Sequence, residues 1–108
     1  MSEAEILAEA EAAFSKAANE AFDADGRRDV GTCGSYMLTI DARSKIARLA
    51  VKQGKGHNFG GGRGTSLSFR ADGVASQAYH VWDAAQRAAA DVLRSHNVRI
   101  IKAYAWVD

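Results

Sequence analysis

One cysteine and three histidines are the residues of this 108-residue chain best suited to covalent or metal chemistry. Cys33 with His57 would make a nucleophile and its base, since a thiolate needs a neighbouring base or a positive field. The competing reading of Cys33 is a small buried thiol at the start of a strand. His57, His80 and His96 fall in a loop, within a helix and at a helix end, with no pair at metal-ligand spacing, so no metal site is expected. Asp23-Ala24-Asp25-Gly26 opens like a calcium loop, but its glycine comes at the fourth place and Gly34 stands where the twelfth-position glutamate belongs. Neither G-x-x-x-x-G-K-[ST] nor G-x-G-x-x-G can be drawn through the glycines. The expectation is a non-catalytic protein without a cofactor.

Charge is the stronger signal. The formal net charge is only +1, but the two signs are segregated along the chain. Residues 1–25 hold seven acidic residues against Lys16, a net −6, while the remaining 83 hold thirteen Lys and Arg against six Asp, a net +7. Residues 42–71 carry Arg43, Lys45, Arg48, Lys52, Lys55, Arg63 and Arg70 with no acid among them, which points to an anionic partner. Residues 54–64 hold six glycines in eleven, a composition that reads as a loop and not as a helix or strand. Glycines let backbone N–H groups converge on an anion, and Lys and Arg add charge and bidentate grip. The expected ligand-binding set is Arg43, Lys45, Lys52, Lys55, His57, Phe59, Gly61, Gly62 and Arg63, with His57 and Phe59 as a stacking surface for a base. The bland alternative is a solvated loop whose charges balance the acidic N-terminal helix.

Several elements must position these residues. Ile6, Leu7, Ala10, Phe14, Ala17, Ala18, Ala21 and Phe22 recur at helical spacing, Ser2 and Glu5 form a capping box, and Gly26 supplies the stop. Tyr36, Leu38 and Ile40 alternate within a first strand, 33–40. Residues 44–54 fit either a strand or a short helix. Ser44 as N-cap, Lys52 in the last turn and Gly54 just beyond favour the helix. Thr65–Arg70 reads as a second strand. A long helix is expected from Ala75 or Ser76 to Ser95, buried through Ala78, Val81, Trp82, Ala85, Ala89, Val92 and Leu93. The last strand, 98–107, is apolar on both faces, which predicts a central strand covered on both sides.

The order is then α-β-α-β-α-β in one small α/β or α+β domain spanning 1–108, with a three-stranded mixed sheet packed by helices. The hairpin alternative, α-β-β-β-α-β, would begin like a double-stranded-RNA-binding domain. That comparison is weakened at Ala75-Ser76-Gln77-Ala78, which lacks the lysine cluster such domains carry there. The hydrophobic share of 47% includes 22 alanines, suiting close-packed helix faces. With a single cysteine there is no disulfide framework. No apolar run of 18 residues and no basic-then-apolar leader is present, so no membrane partner and a cytoplasmic location are expected.

Gly31-Thr32-Cys33-Gly34 before an apolar strand, a short helix ending at Gly54, the glycine-rich stretch, the alanine-rich helix and a closing strand ending in Asp108 resemble a diffuse group of small phage and prophage accessory proteins. The resemblance covers residues 30–108 and carries no activity or residue role. It implies a context in which nucleic-acid binding, nucleotide binding or obstruction of host defence is expected. The leading expectation is capture of nucleic acid or a nucleotide through the basic glycine-rich region. The alternative is an anti-CRISPR-like inhibitor that engages a host protein complex by charge complementarity. A third reading, a homo-oligomeric structural protein, would show a left-over apolar patch.

Overall fold

The first helix is built as its local sequence dictates. Ser2 accepts a hydrogen bond from the backbone of Glu5, and Glu5 accepts one from the backbone of Ser2, closing the capping box that starts α1, Glu3–Ala24. Leu7, Ala10, Phe14, Ala18 and Phe22 form its buried stripe. Gly26, at φ +69°, ends it in the left-handed region.

A computed structural model describes residues 1–58 and 62–108. After α1 come β1 (Gly34–Asp41), α2 (Lys45–Lys52), β2 (Gly56–Asn58), β3 (Gly64–Leu67), α3 (Tyr79–Ser95) and β4 (Ile100–Val107). The result is a single small α+β domain, as expected, with three helices against one sheet. Residues 44–54 take the helical option: the Ser44 side chain caps the backbone of Ala47 at 3.1 Å, and Gly54 follows at φ +74°.

The sheet departs from the expected three mixed strands. Among the described residues it has four, in the order β2-β3-β1-β4, and every adjacent pair is antiparallel. The additional strand, β2, lies inside the glycine-rich segment. A Cβ on Gly56 would sit 3.1 Å from the Ala50 Cβ and 3.0 Å from the Thr65 Cγ2, so the glycine is what lets α2 lie closely over this strand. The β3–α3–β4 connection crosses over β1, since β3 and β4 flank it.

Two boundaries move for a physical reason. The long helix begins at Tyr79, not at 75 or 76, because the residues before it pair with the start of β1. Gly34 N–H donates to the Gln77 carbonyl at 2.8 Å and Tyr79 N–H to that of Thr32 at 2.7 Å. Strand β3 is likewise shorter than expected: its ladder stops at Leu67, and Phe69 N–H bonds the Tyr36 hydroxyl at 3.3 Å.

The larger correction concerns β4. Among the described residues it is an edge strand, paired with β1 alone, and not a central strand covered on both sides. One face of the sheet, carrying Tyr36, Leu38, Ile40 and Leu67, packs on the helices through Phe14, Val81, Ala85, Ala89 and Leu93. Phe14 is the joint, its ring 5.1 Å from that of Tyr36, 5.8 Å from Phe69 and 6.0 Å from Trp82. Among the described residues no helix packs on the opposite face. Among the described residues no helix is long and apolar enough to cross a membrane.

Gly34 is where α3, β1 and β4 meet most closely. A Cβ there would lie 2.5 Å from the Trp106 carbonyl oxygen and 2.9 Å from the Tyr79 Cα. Because those atoms are backbone, Gly34→Ala is expected to destabilise the domain by about 1–3 kcal/mol. A thermal melt unchanged from the parent would contradict this close approach.

Candidate functional site

The helix-free face is read directly from the strand register. Ser35 pairs with Trp106, Met37 with Tyr104 and Thr39 with Lys102, while Thr39 on its other side pairs with Ser66, which in turn pairs with His57. Directly paired residues share a face, so Trp106, Tyr104, Lys102, Met37, Thr39, Ser66 and His57 lie together. A bulge opposite Thr39 and Ile40 brings Ile101 into the same depression as Met37, Thr39, Gly62, Gly64 and Lys102.

Two aromatic rings dominate this surface. Tyr104 and Trp106 are 44% and 36% exposed, large values for such apolar bodies, with ring centroids 5.5 Å apart at 45°. The Tyr104 hydroxyl points along the face to the Met37 sulfur at 3.8 Å. Thr39 and Ser66 hydroxyls bond each other at 3.1 Å and close the floor. Lys102 makes no ion pair among the described residues.

Cations gather at the end of the sheet where β1 leaves and β3 and β4 enter. Arg43 grips Asp41 through Nε at 3.1 Å and Nη2 at 2.9 Å, and Arg99 stands 3.9 Å from the same carboxylate. Arg63 is placed there by its carbonyl, which accepts from Ala42 N–H at 2.7 Å. Lys45, in the first turn of α2, shares a cleft with Arg43, Arg99 and Asn97, and also with the carboxylates of Glu3 and Asp41. The positive end of the α2 dipole adds to this field.

The Arg43 side-chain hydrogen bonds, then its backbone N–H and the charges of Arg43 and Arg99, hold the Asp41 carboxyl far below the usual carboxylate range; burial opposes this. The same contact raises the Arg43 guanidinium. A depressed folded value means the clamp contributes at any pH above the ordinary Asp value of about 3.9, and is lost only as pH falls through the folded one. Asp41 is therefore expected to stay ionised at about pH 3, as read by carboxyl carbon NMR. Titration near pH 4 would show that the clamp does not form.

The expected site residues thus divide. Arg43, Lys45 and Arg63 come together at the sheet end, and His57 and Gly62 reach the open face. Lys52 sits at the far end of α2, about 10 Å along the helix from Lys45. Lys55 is held by Glu11 at 2.5 Å, and the other Glu11 oxygen accepts the Arg70 N–H at 3.0 Å, so here the basic segment does neutralise the acidic helix. Phe59 and Gly61 lie outside the described residues. The Cys33–His57 pair does not form. Cys33 precedes β1 and His57 registers across from Thr39, six residues along, a separation of about 20 Å in the strand direction alone. Nor is Cys33 a buried thiol; it is exposed.

Sequence reasoning passed over Lys102, Arg99, Tyr104, Trp106 and Met37. The signal was present: Lys102 shares the period-two face of Tyr104 and Trp106, and a lysine within a strand marks a solvated face. Among the described residues no cluster of three metal-binding side chains occurs. Comparison with protein-family models, with curated proteins and with solved structures finds no match to this chain, so its reading rests on the open face and its basic rim.

Proposed function

We propose that the protein binds single-stranded nucleic acid across the open face of the sheet. Bases stack on Tyr104 and Trp106, and phosphates are met by Lys102, Arg99, Arg63 and Arg43. The observation that supports this most is the exposed aromatic pair beside Lys102 on a face no helix covers. An open sheet face with projecting aromatic rings suits splayed-out bases, each stack contributing about 1–3 kcal/mol, and it accepts any base because every base has a π-face. The reading keeps the anionic ligand expected from the charge pattern, but moves its centre from the glycine loop to β4. It takes no residue role from the phage-protein resemblance.

The test is titration of a short single-stranded oligonucleotide at two salt concentrations. Three or four phosphate contacts give a slope of about −2 to −3 in log K against log salt. A fourfold rise in salt then weakens binding roughly 20- to 50-fold. Absence of binding at low salt overturns the proposal and favours the alternative of a protein partner engaged by charge.

A further inference from the structure

We propose that a nucleobase seats in the notch where β1 and β3 part, hydrogen-bonded to the backbone N–H and carbonyl of Tyr36. The ladder between these strands pairs Asp41 with Gly64, Ile40 with Thr65 and Thr39 with Ser66, and goes no further. Continued in the same register it would set Tyr36 against Phe69. Phe69 N–H instead donates to the Tyr36 hydroxyl at 3.3 Å, which draws it off the ladder.

Hydrogen-bond parity identifies what this leaves over. Ala42 N–H donates to the Arg63 carbonyl at 2.7 Å and Gly34 N–H to that of Gln77 at 2.8 Å, so the even-numbered residues of β1 turn their backbone groups away from β4. The Cys33 carbonyl, accepting from Asp108 N–H at 3.0 Å, marks the odd-numbered side that faces β4. Tyr36 lies between the two bonded stretches of the even-numbered side. Among the described residues its backbone N–H and carbonyl have no hydrogen-bond partner.

The notch beside this donor and acceptor measures ≈ 320 Å³, with Leu38 and Leu67 in its walls and His57, Ser66 and Ser68 around it. It opens on the helix-free face, where His57 and Ser66 lie, and its Met37 pairs directly with Tyr104. One residue with unpaired groups is too short to receive an added peptide strand, which needs a row of them. A planar ring with an acceptor beside a donor on one edge matches it, and the Watson–Crick edge of every base carries such a pair. An apolar slot with a few convergent polar groups is also the form that small-ligand sites take. The proposal rests on the nucleic-acid reading for the strand that brings the base, and it adds a base position across β1 from the Tyr104 and Trp106 platform.

The experiment follows the Tyr36 amide proton by NMR as each of the four nucleoside monophosphates is added at millimolar concentration, with ribose 5-phosphate as the probe that lacks a base. Downfield movement with at least one nucleotide, and none with ribose 5-phosphate, is the expected result. Ser68→Leu, at an exposed position, fills the notch and is expected to weaken that nucleotide about tenfold, the factor carried by one or two lost hydrogen bonds. A Tyr36 amide indifferent to all four nucleotides, or moved equally by ribose 5-phosphate, overturns the proposal. So does a response unchanged in Ser68→Leu. Trp106 separates this proposal from the reading it rests on. An oligonucleotide that moves Trp106 while no nucleotide moves Tyr36 removes the notch and keeps the platform; the converse removes the platform and leaves the notch as a nucleotide site.

Discussion

Replacing Tyr104 and Trp106 together by alanine is expected to weaken oligonucleotide binding about 100-fold while leaving the domain folded. Two lost stacks at about 1–3 kcal/mol each, discounted for overlap to about 3 kcal/mol, give that factor. Neither ring belongs to the buried cluster that joins helices to sheet, so the cost to stability is small. The salt slope distinguishes this loss from a general electrostatic one. It stays unchanged in the aromatic double variant, because no phosphate contact is removed, whereas Lys102→Ala reduces it by about 0.7. An aromatic double variant that binds as tightly as the parent would remove the stacking platform from the account.

The largest effect on stability is expected from Phe14→Ala. Its side chain is fully buried and touches rings from β1, from the segment after β3 and from α3. Removing it leaves a cavity where α1 meets the sheet and α3 through aromatic contacts. The expected loss is about 3–5 kcal/mol, a large share of the total of about 5–15 kcal/mol typical of such domains. In a thermal melt this is a fall on the order of 15–25 °C. The effect extends to β1, since Tyr36 leans on Phe14. A loss below about 1 kcal/mol would mean that α1 is not held to the sheet through this ring.

How much of this was legible in the sequence follows from how local each cause is. The capping box of Ser2 and Glu5, the buried stripe from Leu7 to Phe22 and the Ser44 to Gly54 boundaries of α2 are decided within a few residues, and all are found as read. Strand β2 was hidden because Gly56 is required by a tertiary contact with Ala50 and Thr65, while glycine density reads locally as a loop. The place of β4 was misread because alternation shows which residues share a face but not what covers that face. Apolar residues on both sides suggested a central strand, yet Tyr104 and Trp106 project into solvent. The basic cluster was half legible. Arg43, Lys45 and Arg63 share a segment, whereas Arg99 and Lys102 join them only because β4 pairs with β1. Lys55 illustrates the converse, a cation in the right stretch already held by a carboxylate 44 positions earlier in the chain.

The central claim is that the open face of the sheet is the binding surface, and the two tryptophans report on it from opposite sides. Trp106 lies on that face, while Trp82 packs against Phe14 and Tyr36 on the helical side. The most direct measurement follows both indole N–H resonances by NMR as a single-stranded oligonucleotide is added at low salt. Progressive movement of the Trp106 signal with that of Trp82 nearly still is the predicted result. No movement of either signal in excess oligonucleotide, or movement of Trp82 alone, would contradict it.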